Sequence, residues 1–170
     1  VGLVGLPNAG KSTLVSAISK ARPKIADYPF TTLNPILGMV EPPFGEPFAV
    51  ADIPGLIEGA HEGTGLGIKF LKHIERTGIL VHLVDVSRVD PENPLRDFNI
   101  INAELSKYSR TLAQKSQIVV LNKIDLPGTD EKVDAFRQAV PHICVLVLSA
   151  ATGKGTDQLV QLLSTRLTKS

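Results

Sequence analysis

Apolar, mostly β-branched runs recur along the chain at residues 1–6, 48–53, 80–86, 117–121 and 144–148. Each is short and lacks helical spacing, which predicts a buried strand. Between them the period changes. Leu95, Phe98, Ile101, Leu105, Tyr108 and Leu112 follow one another at intervals of three or four, as do Leu159, Leu162 or Leu163, and Leu167. That is the spacing of a helix with one apolar face. Further helical segments are expected to begin near Ser12 and to run through Ile68, Phe70, Leu71 and Ile74. Strand and helix thus alternate, which predicts an α/β fold of three layers. Its sheet is mostly parallel, its helices lie on both faces, and ligands are expected in loops at the carboxyl ends of the strands. Residues 22–35 and 54–67 fit neither period, and irregular stretches of that length inside a compact domain are usually functional. The chain contains no repeat and no low-complexity segment.

A chain of 170 residues can bury one substantial core, so residues 1–170 read as a single domain. Hydrophobic residues make up 43% and charged residues 21%, a globular rather than a disordered composition. With 18 Lys and Arg against 17 Asp and Glu, there is no broad basic field and hence no direct nucleic-acid signature. No apolar stretch approaches the roughly 18–20 residues needed to cross a bilayer, and no charged segment leads into a signal-peptide core. A cytoplasmic location is the expectation. The single cysteine, Cys144, lies in an apolar run, which reads as a buried core thiol. Because the chain opens directly on a strand and its only methionine is the internal Met39, it reads as a piece of a longer protein.

With Thr13 beside it as a further nucleotide-site candidate, the first strand runs into Gly5-Leu6-Pro7-Asn8-Ala9-Gly10-Lys11-Ser12. This matches G-x-x-x-x-G-K-[ST] in the setting that pattern requires, after a strand and before a helix. Glycines let backbone N–H groups wrap phosphate oxygens, and the following helix directs its positive end at the same anion. Lys11 adds a point charge for the β- and γ-phosphates, and Ser12 offers a hydroxyl to Mg²⁺. The fold class sharpens accordingly to a P-loop NTPase sandwich of the small G-protein type. By contrast, Gly63-Thr64-Gly65-Leu66-Gly67 follows no strand and has Ile68 where a dinucleotide fingerprint needs glycine. Those glycines read as a hinge, with a plain turn as the alternative.

Two further motifs narrow the ligand. Asp52-Ile53-Pro54-Gly55 closes the second predicted strand as D-x-x-G, which sets a carboxylate beside the metal and a glycine N–H near the γ-phosphate. Asn122-Lys123-Ile124-Asp125 closes the fourth as N-K-x-D. Asp125 can accept from guanine N1–H and the 2-amino group, whereas adenine would leave the carboxylate without a donor. Ser149-Ala150-Ala151 follows the fifth strand and has the form of the loop whose backbone supports guanine.

In this order the motifs form the GTPase set. Tyr28-Pro29-Phe30-Thr31-Thr32-Leu33, then Leu37-Gly38-Met39-Val40, resemble the switch regions of the Obg family of GTPases. So do Asp52 to Ala60 with Gly65-Leu66-Gly67, Phe70-Leu71 and His73-Ile74-Glu75-Arg76-Thr77, and the similarity covers the whole chain. The resemblance implies nucleotide contacts from Phe30, Thr31 and Thr32, from residues 52–55, and from the phosphate and base loops. It implies Mg²⁺ held by Ser12, Thr32 and Asp52, and catalytic roles for Lys11, Thr32 and Gly55, with Thr31 as the alternative switch I threonine. Residues 55–67 would form switch II, so the triphosphate state becomes a shape that a partner reads. The implied partners are GTP, GDP and the large ribosomal subunit or its precursor, and the G domain is expected to be monomeric. The family's glycine-rich N-terminal domain and its C-terminal region lie outside these residues.

Where many GTPases place a water-orienting glutamine after D-x-x-G, this chain has Leu56, which predicts slow intrinsic turnover resting on Lys11, Mg²⁺ and backbone N–H groups. Asn8 sits where similar P-loops coordinate K⁺ through an asparagine oxygen. It is a candidate K⁺ ligand, with a purely loop-stabilising role as the alternative. Glu58, His61 and Glu62 read as solvated switch residues, with reaching a water once switch II closes as the alternative, while His73, His82 and His142 lack metal-ligand spacing and read as structural or surface residues. The competing function is a guanine-nucleotide sensor, taking GDP, GTP or diphosphate-type alarmones, in which hydrolysis is incidental. An ATP-using kinase or motor is opposed by Asp125 and by the lack of a lid-like arginine cluster.

Overall fold

The computed structural model describes residues 1–25, 35–52, 75–76 and 78–169. Seven strands form one sheet: β1 (Gly2–Val4), β2 (Lys24–Ile25), β3 (Ile36–Val40), β4 (Phe48–Asp52), β5 (Leu80–Asp85), β6 (Gln117–Asn122) and β7 (Val145–Val147). Their order is β2-β3-β4-β1-β5-β6-β7. β4, β1, β5, β6 and β7 run parallel, while β3 is antiparallel to both β2 and β4. The helices are α1 (Lys11–Ile18), α2 (Arg96–Tyr108), α3 (Arg110–Ala113), α4 (Asp130–Ala139) and α5 (Thr156–Thr168).

Period-two alternation along the central strands divides the core between two faces. Val81 and Leu83 of β5, with Ile118 and Val120 of β6, pack with Leu14 and Val15 of α1 and Leu159 and Leu163 of α5. On the opposite face Leu80 meets Ile101 and Leu105 of α2, while Val84, Val119 and Leu121 meet Phe98, Val133 and Phe136. Each such fully buried aliphatic side chain contributes about 1.5–3 kcal/mol. The three-layer α/β expectation is therefore met.

Four local readings change. Lys24–Ile25, inside a stretch that fits neither period, forms the two-residue strand β2 by pairing with β3. The periodic segment from Leu95 to Leu112 is two helices, because Ser109 takes an extended backbone and its Oγ caps the second by accepting from Leu112 N at 3.2 Å. β3 went unrecognised because Gly38 and Met39 interrupt its apolar alternation. Gly38 sits there because a Cβ would collide with Ser19 Oγ at the C-cap of α1. Cys144 is exposed, not a core thiol. Strand pairing of β7 with β6 begins only at Val145, so Cys144 lies just before the strand. Of the switch-like stretches, residues 37–40, Asp52, Glu75 and Arg76 are described, whereas residues 28–33, 53–74 and 77, with the helix read through Ile68 to Ile74 and with Leu56, Glu58, His61, Glu62 and His73, lie outside the described residues.

Candidate nucleotide site

The motifs gather at the carboxyl ends of the parallel strands, where an α/β sheet places its ligand loops. Residues 5–10 link β1 to α1, Lys11, Ser12 and Thr13 form the first turn of α1, and Asp52 ends β4. Asn122 ends β6, Lys123, Ile124 and Asp125 follow it, and Ser149, Ala150 and Ala151 follow β7. Phe30, Thr31, Thr32, Ile53, Pro54 and Gly55 lie outside the described residues.

The phosphate loop has its shape for steric reasons. Gly10 caps α1 with φ 102°, a left-handed conformation that disfavours any side chain, and a Cβ there would run into Asn122 Nδ2. A Cβ on Gly5 would lie 2.5 Å from the Leu83 carbonyl oxygen. Asn8, with φ 65°, is a non-glycine residue in the same region. The first turn of α1 holds no acidic residue, so its positive end faces the loop without a compensating carboxylate. Lys11 Nζ donates to the carbonyl oxygens of Gly5 at 3.1 Å and Leu6 at 3.2 Å.

Asn122 joins three loops. It is 2% exposed, its Nδ2 donates to Ala9 O at 2.9 Å, and its Oδ1 accepts from Ala150 N at 2.9 Å. Its side chain therefore holds the base loops to the phosphate loop. Asp125 is exposed, with Oδ1 accepting from Ser149 Oγ at 2.8 Å. That bond sets the carboxylate at the mouth of a cavity of about 140 Å³ lined by Gly10, Thr13, Asn122, Lys123, Asp125 and Ala150 among others. A second cavity, of about 400 Å³, is lined by Asn8, Gly10, Lys11, Ser12, Thr13, Asp52 and Lys123. Gly10, Thr13 and Lys123 belong to both, so the two cavities adjoin and together present base-recognition and phosphate-recognition groups.

Within the larger cavity Asp52 fits a divalent cation. Its Oδ1 is buried and accepts no hydrogen bond among the described residues, an arrangement that a neutral site would leave costly. Burial raises its pKa above the ordinary carboxylate value and the Lys11 charge offsets part of that rise. Ser12 supplies a hydroxyl on the same wall. One carboxylate, one hydroxyl and phosphate oxygens suit a hard ion such as Mg²⁺, which uses few protein ligands. Among the described residues there is no cluster of three His, Cys, Asp or Glu that could hold a metal ion. His82 is structural: it is 1% exposed, stacks on Phe98 with centroids 4.7 Å apart, and contacts Gln117 Oε1 through Nδ1 at 3.3 Å.

The sequence motifs did not point to Asp85. It ends β5 beside Asn122, and its carboxylate contacts Lys123 Nζ at 2.8 Å. Its position at the carboxyl end of a central strand was the available signal.

The fold and this site define a P-loop nucleotide-binding domain of the GTPase class. The chain belongs to the 50S ribosome-binding GTPase family, whose profile matches residues 1–123. It is similar to GTPase Obg of Desulforapulum autotrophicum, 70% identical over 167 residues, covering 98% of this chain and 48% of that protein. With GTPase Obg of Desulfosudis oleivorans it shares 60% identity over 159 residues, covering 94% of this chain and 48% of that one. The chain thus spans about half the length of these curated relatives. Among solved structures, Aquifex aeolicus Era bound to GDP·AlF4⁻ superposes with a TM-score of 0.69 at 24% identity, covering 97% of this chain and 55% of that one. The G domain of the T. maritima FeoB iron transporter gives 0.66 at 20% identity, covering 98% and 96%. These two likenesses concern the fold.

Proposed function

We propose that this chain is a guanine-nucleotide switch domain that binds GTP with Mg²⁺, hydrolyses it slowly to GDP and phosphate, and serves assembly of the large ribosomal subunit. The observation that carries the reading is the continuous cleft in which Asp125, held by Ser149, and Asp52, with its buried unpartnered oxygen, flank the glycine loop and Lys11. Asp125 selects guanine through paired acceptance, and the loop and α1 hold the phosphates. Ser12 and Asp52 hold Mg²⁺, which neutralises charge on the β- and γ-phosphates when bound. Lys11, now on the Gly5 and Leu6 carbonyls, turns to the phosphates when they arrive.

Phe30, Thr31, Thr32, Ile53, Pro54 and Gly55 complete the site in this reading, with Thr32 and Gly55 closing on the γ-phosphate. Asn8 lines the larger cavity and is the candidate K⁺ ligand; the alternative is a purely loop-stabilising role, in keeping with its left-handed backbone. The ribosomal role is supported by the family's description as ribosome-binding GTPases and by high identity to Obg proteins. A cytoplasmic location goes with that role. Among the described residues no helix is long and apolar enough to cross a membrane.

Phosphate release from GTP, measured in KCl and NaCl with and without 50S subunits, tests the activity. The proposal expects slow release that depends on Mg²⁺, is faster in KCl, and is altered by the subunits. Tight guanine-nucleotide binding with no release under any of these conditions would replace the switch by a nucleotide sensor. Equal rates in both salts would remove the K⁺ site alone.

A further inference from the structure

We propose that Asp85 is a positioning residue for nucleotide binding: it holds the Lys123 ammonium across the phosphate loop and thereby couples the base loop to that loop. This inference rests on the guanine-nucleotide reading above and deepens it, since Asp85 lies outside every motif that carried that reading.

Asp85 and Asn122 are register partners at the ends of β5 and β6, so the residue after Asn122 emerges beside the Asp85 carboxylate. Both carboxylate oxygens are engaged. Oδ1 accepts from Ser87 N at 3.0 Å and from Ser87 Oγ at 2.5 Å, and Oδ2 accepts from Lys123 Nζ at 2.8 Å. The Asp85 side chain is 10% exposed and that of Lys123 31%, so solvent screens the pair only in part, from the lysine side. The turn that carries Ser87 is fixed from the other side, because Lys132 of α4 donates to Ser87 O at 2.5 Å. The carboxylate is therefore held from two directions before it meets Lys123.

The same ammonium donates to Asn8 O at 2.8 Å. Lys123 thus spans from β5 to the phosphate loop, and it does so from a left-handed backbone with φ 72°. A non-glycine residue holds that conformation only where its surroundings fix it. Asn8, at the other end of the bridge, has φ 65° and is also left-handed. Two adjoining loops are each held in an uncommon conformation, and one ammonium, oriented by Asp85, ties them together. Lys123 lines both the base cavity and the phosphate cavity, so displacing it disturbs both halves of the ligand. Burial raises the Asp85 pKa, but the Lys123 and Ser87 hydrogen bonds and the Lys123 charge outweigh it and hold the carboxyl below its ordinary value. That balance keeps it ionised.

The test is release of fluorescent GDP from wild type, Asp85→Ala, Asp85→Asn, Ser87→Ala, Lys123→Met and the Asp85→Ala/Lys123→Met double variant. Loss of a charge-assisted hydrogen bond at this depth predicts release about tenfold faster for Asp85→Ala. Asp85→Asn, which keeps an acceptor for Ser87 but loses the charge, falls between, and Ser87→Ala changes release by less than about twofold. In the Lys123→Met background Asp85→Ala adds less than about twofold, because its target is gone. Independent, multiplicative effects of the two changes would show that Asp85 merely braces its own turn, and unchanged release in both Asp85 variants would also overturn the proposal. If Asp85→Ala does not fold, the comparison is made with Asp85→Asn in both backgrounds. A wild-type chain that binds no guanine nucleotide refutes the functional reading and this inference together, whereas normal wild-type binding with unaffected Asp85 variants refutes this inference alone.

Discussion

His82 offers a quantitative test of the core beneath the phosphate loop. The imidazole is 1% exposed, stacked on Phe98, and bonded through Nδ1 to Gln117 Oε1, while Gln117 Nε2 donates to Asn102 Oδ1 at 3.1 Å. With Gln117 Nε2 donating to Asn102, its Oε1 is the acceptor that faces Nδ1, which favours a proton there, while burial disfavours the imidazolium. Burial pushes the pKa down and the Gln117 oxygen pulls partly back, leaving it at about 4 against an ordinary 6.5. A histidine depressed in the folded state stabilises fully above its unfolded pKa, and that contribution is lost as pH falls toward the folded value. At pH 5 the unfolded chain has gained its proton over about 1.5 units while the folded chain has not, a loss of about 2 kcal/mol at roughly 1.4 kcal/mol per unit. Urea unfolding at pH 7 and pH 5 should therefore show wild type losing about 2 kcal/mol more than His82→Leu, which carries no titrating group there. The absolute stability of the variant is lower at pH 7 because Gln117 Oε1 loses its donor. Parallel losses in the two proteins would refute the buried neutral histidine and the packing of α2 on β5 that creates it.

Three substitutions probe the cleft itself. Gly10→Ala forces a side chain into φ 102° and onto Asn122 Nδ2, so unfolding titrations should show a loss of about 2–4 kcal/mol from strain plus the damaged Asn122 bond. Asp125→Asn should transfer preference from guanine toward xanthine nucleotides, and a variant that still selects GTP over XTP in competition would undo the base assignment. Lys11→Ala should weaken GTP binding at least tenfold (about 1.4 kcal/mol) and abolish phosphate release in a coupled assay; retained turnover would remove Lys11 from the chemistry.

Much of the architecture was legible because the central parallel strands are buried on both faces and so read as mostly apolar runs, as at residues 80–86, broken only by His82 and Asp85, and 118–121. The antiparallel side of the sheet, β2 and β3, was not. β3 is half-buried and interrupted by Gly38, and that glycine answers to Ser19, the C-cap of α1 nineteen residues earlier, a contact that no local pattern encodes. Ser109 divides a continuous helical period by capping, a choice periodicity alone does not reveal. Cys144 misled because an apolar run does not mark where strand pairing starts. At the site, the motifs named the loops but not the bonds between them. Asn122 is a brace between Ala9 and Ala150. Asp85 carries no motif, because its role depends on β5 lying next to β6.

The central claim is tested most directly by a Mg²⁺-dependent competition titration in which labelled GDP is displaced by GTP, ATP or XTP. With Asp125 held toward the base cavity and Asp52 beside the phosphate loop, displacement by GTP and not by ATP or XTP is predicted, with affinity falling when Mg²⁺ is removed. Displacement by ATP at the same concentrations as GTP would contradict the account, since the Asp125 carboxylate could then not be what reads the base.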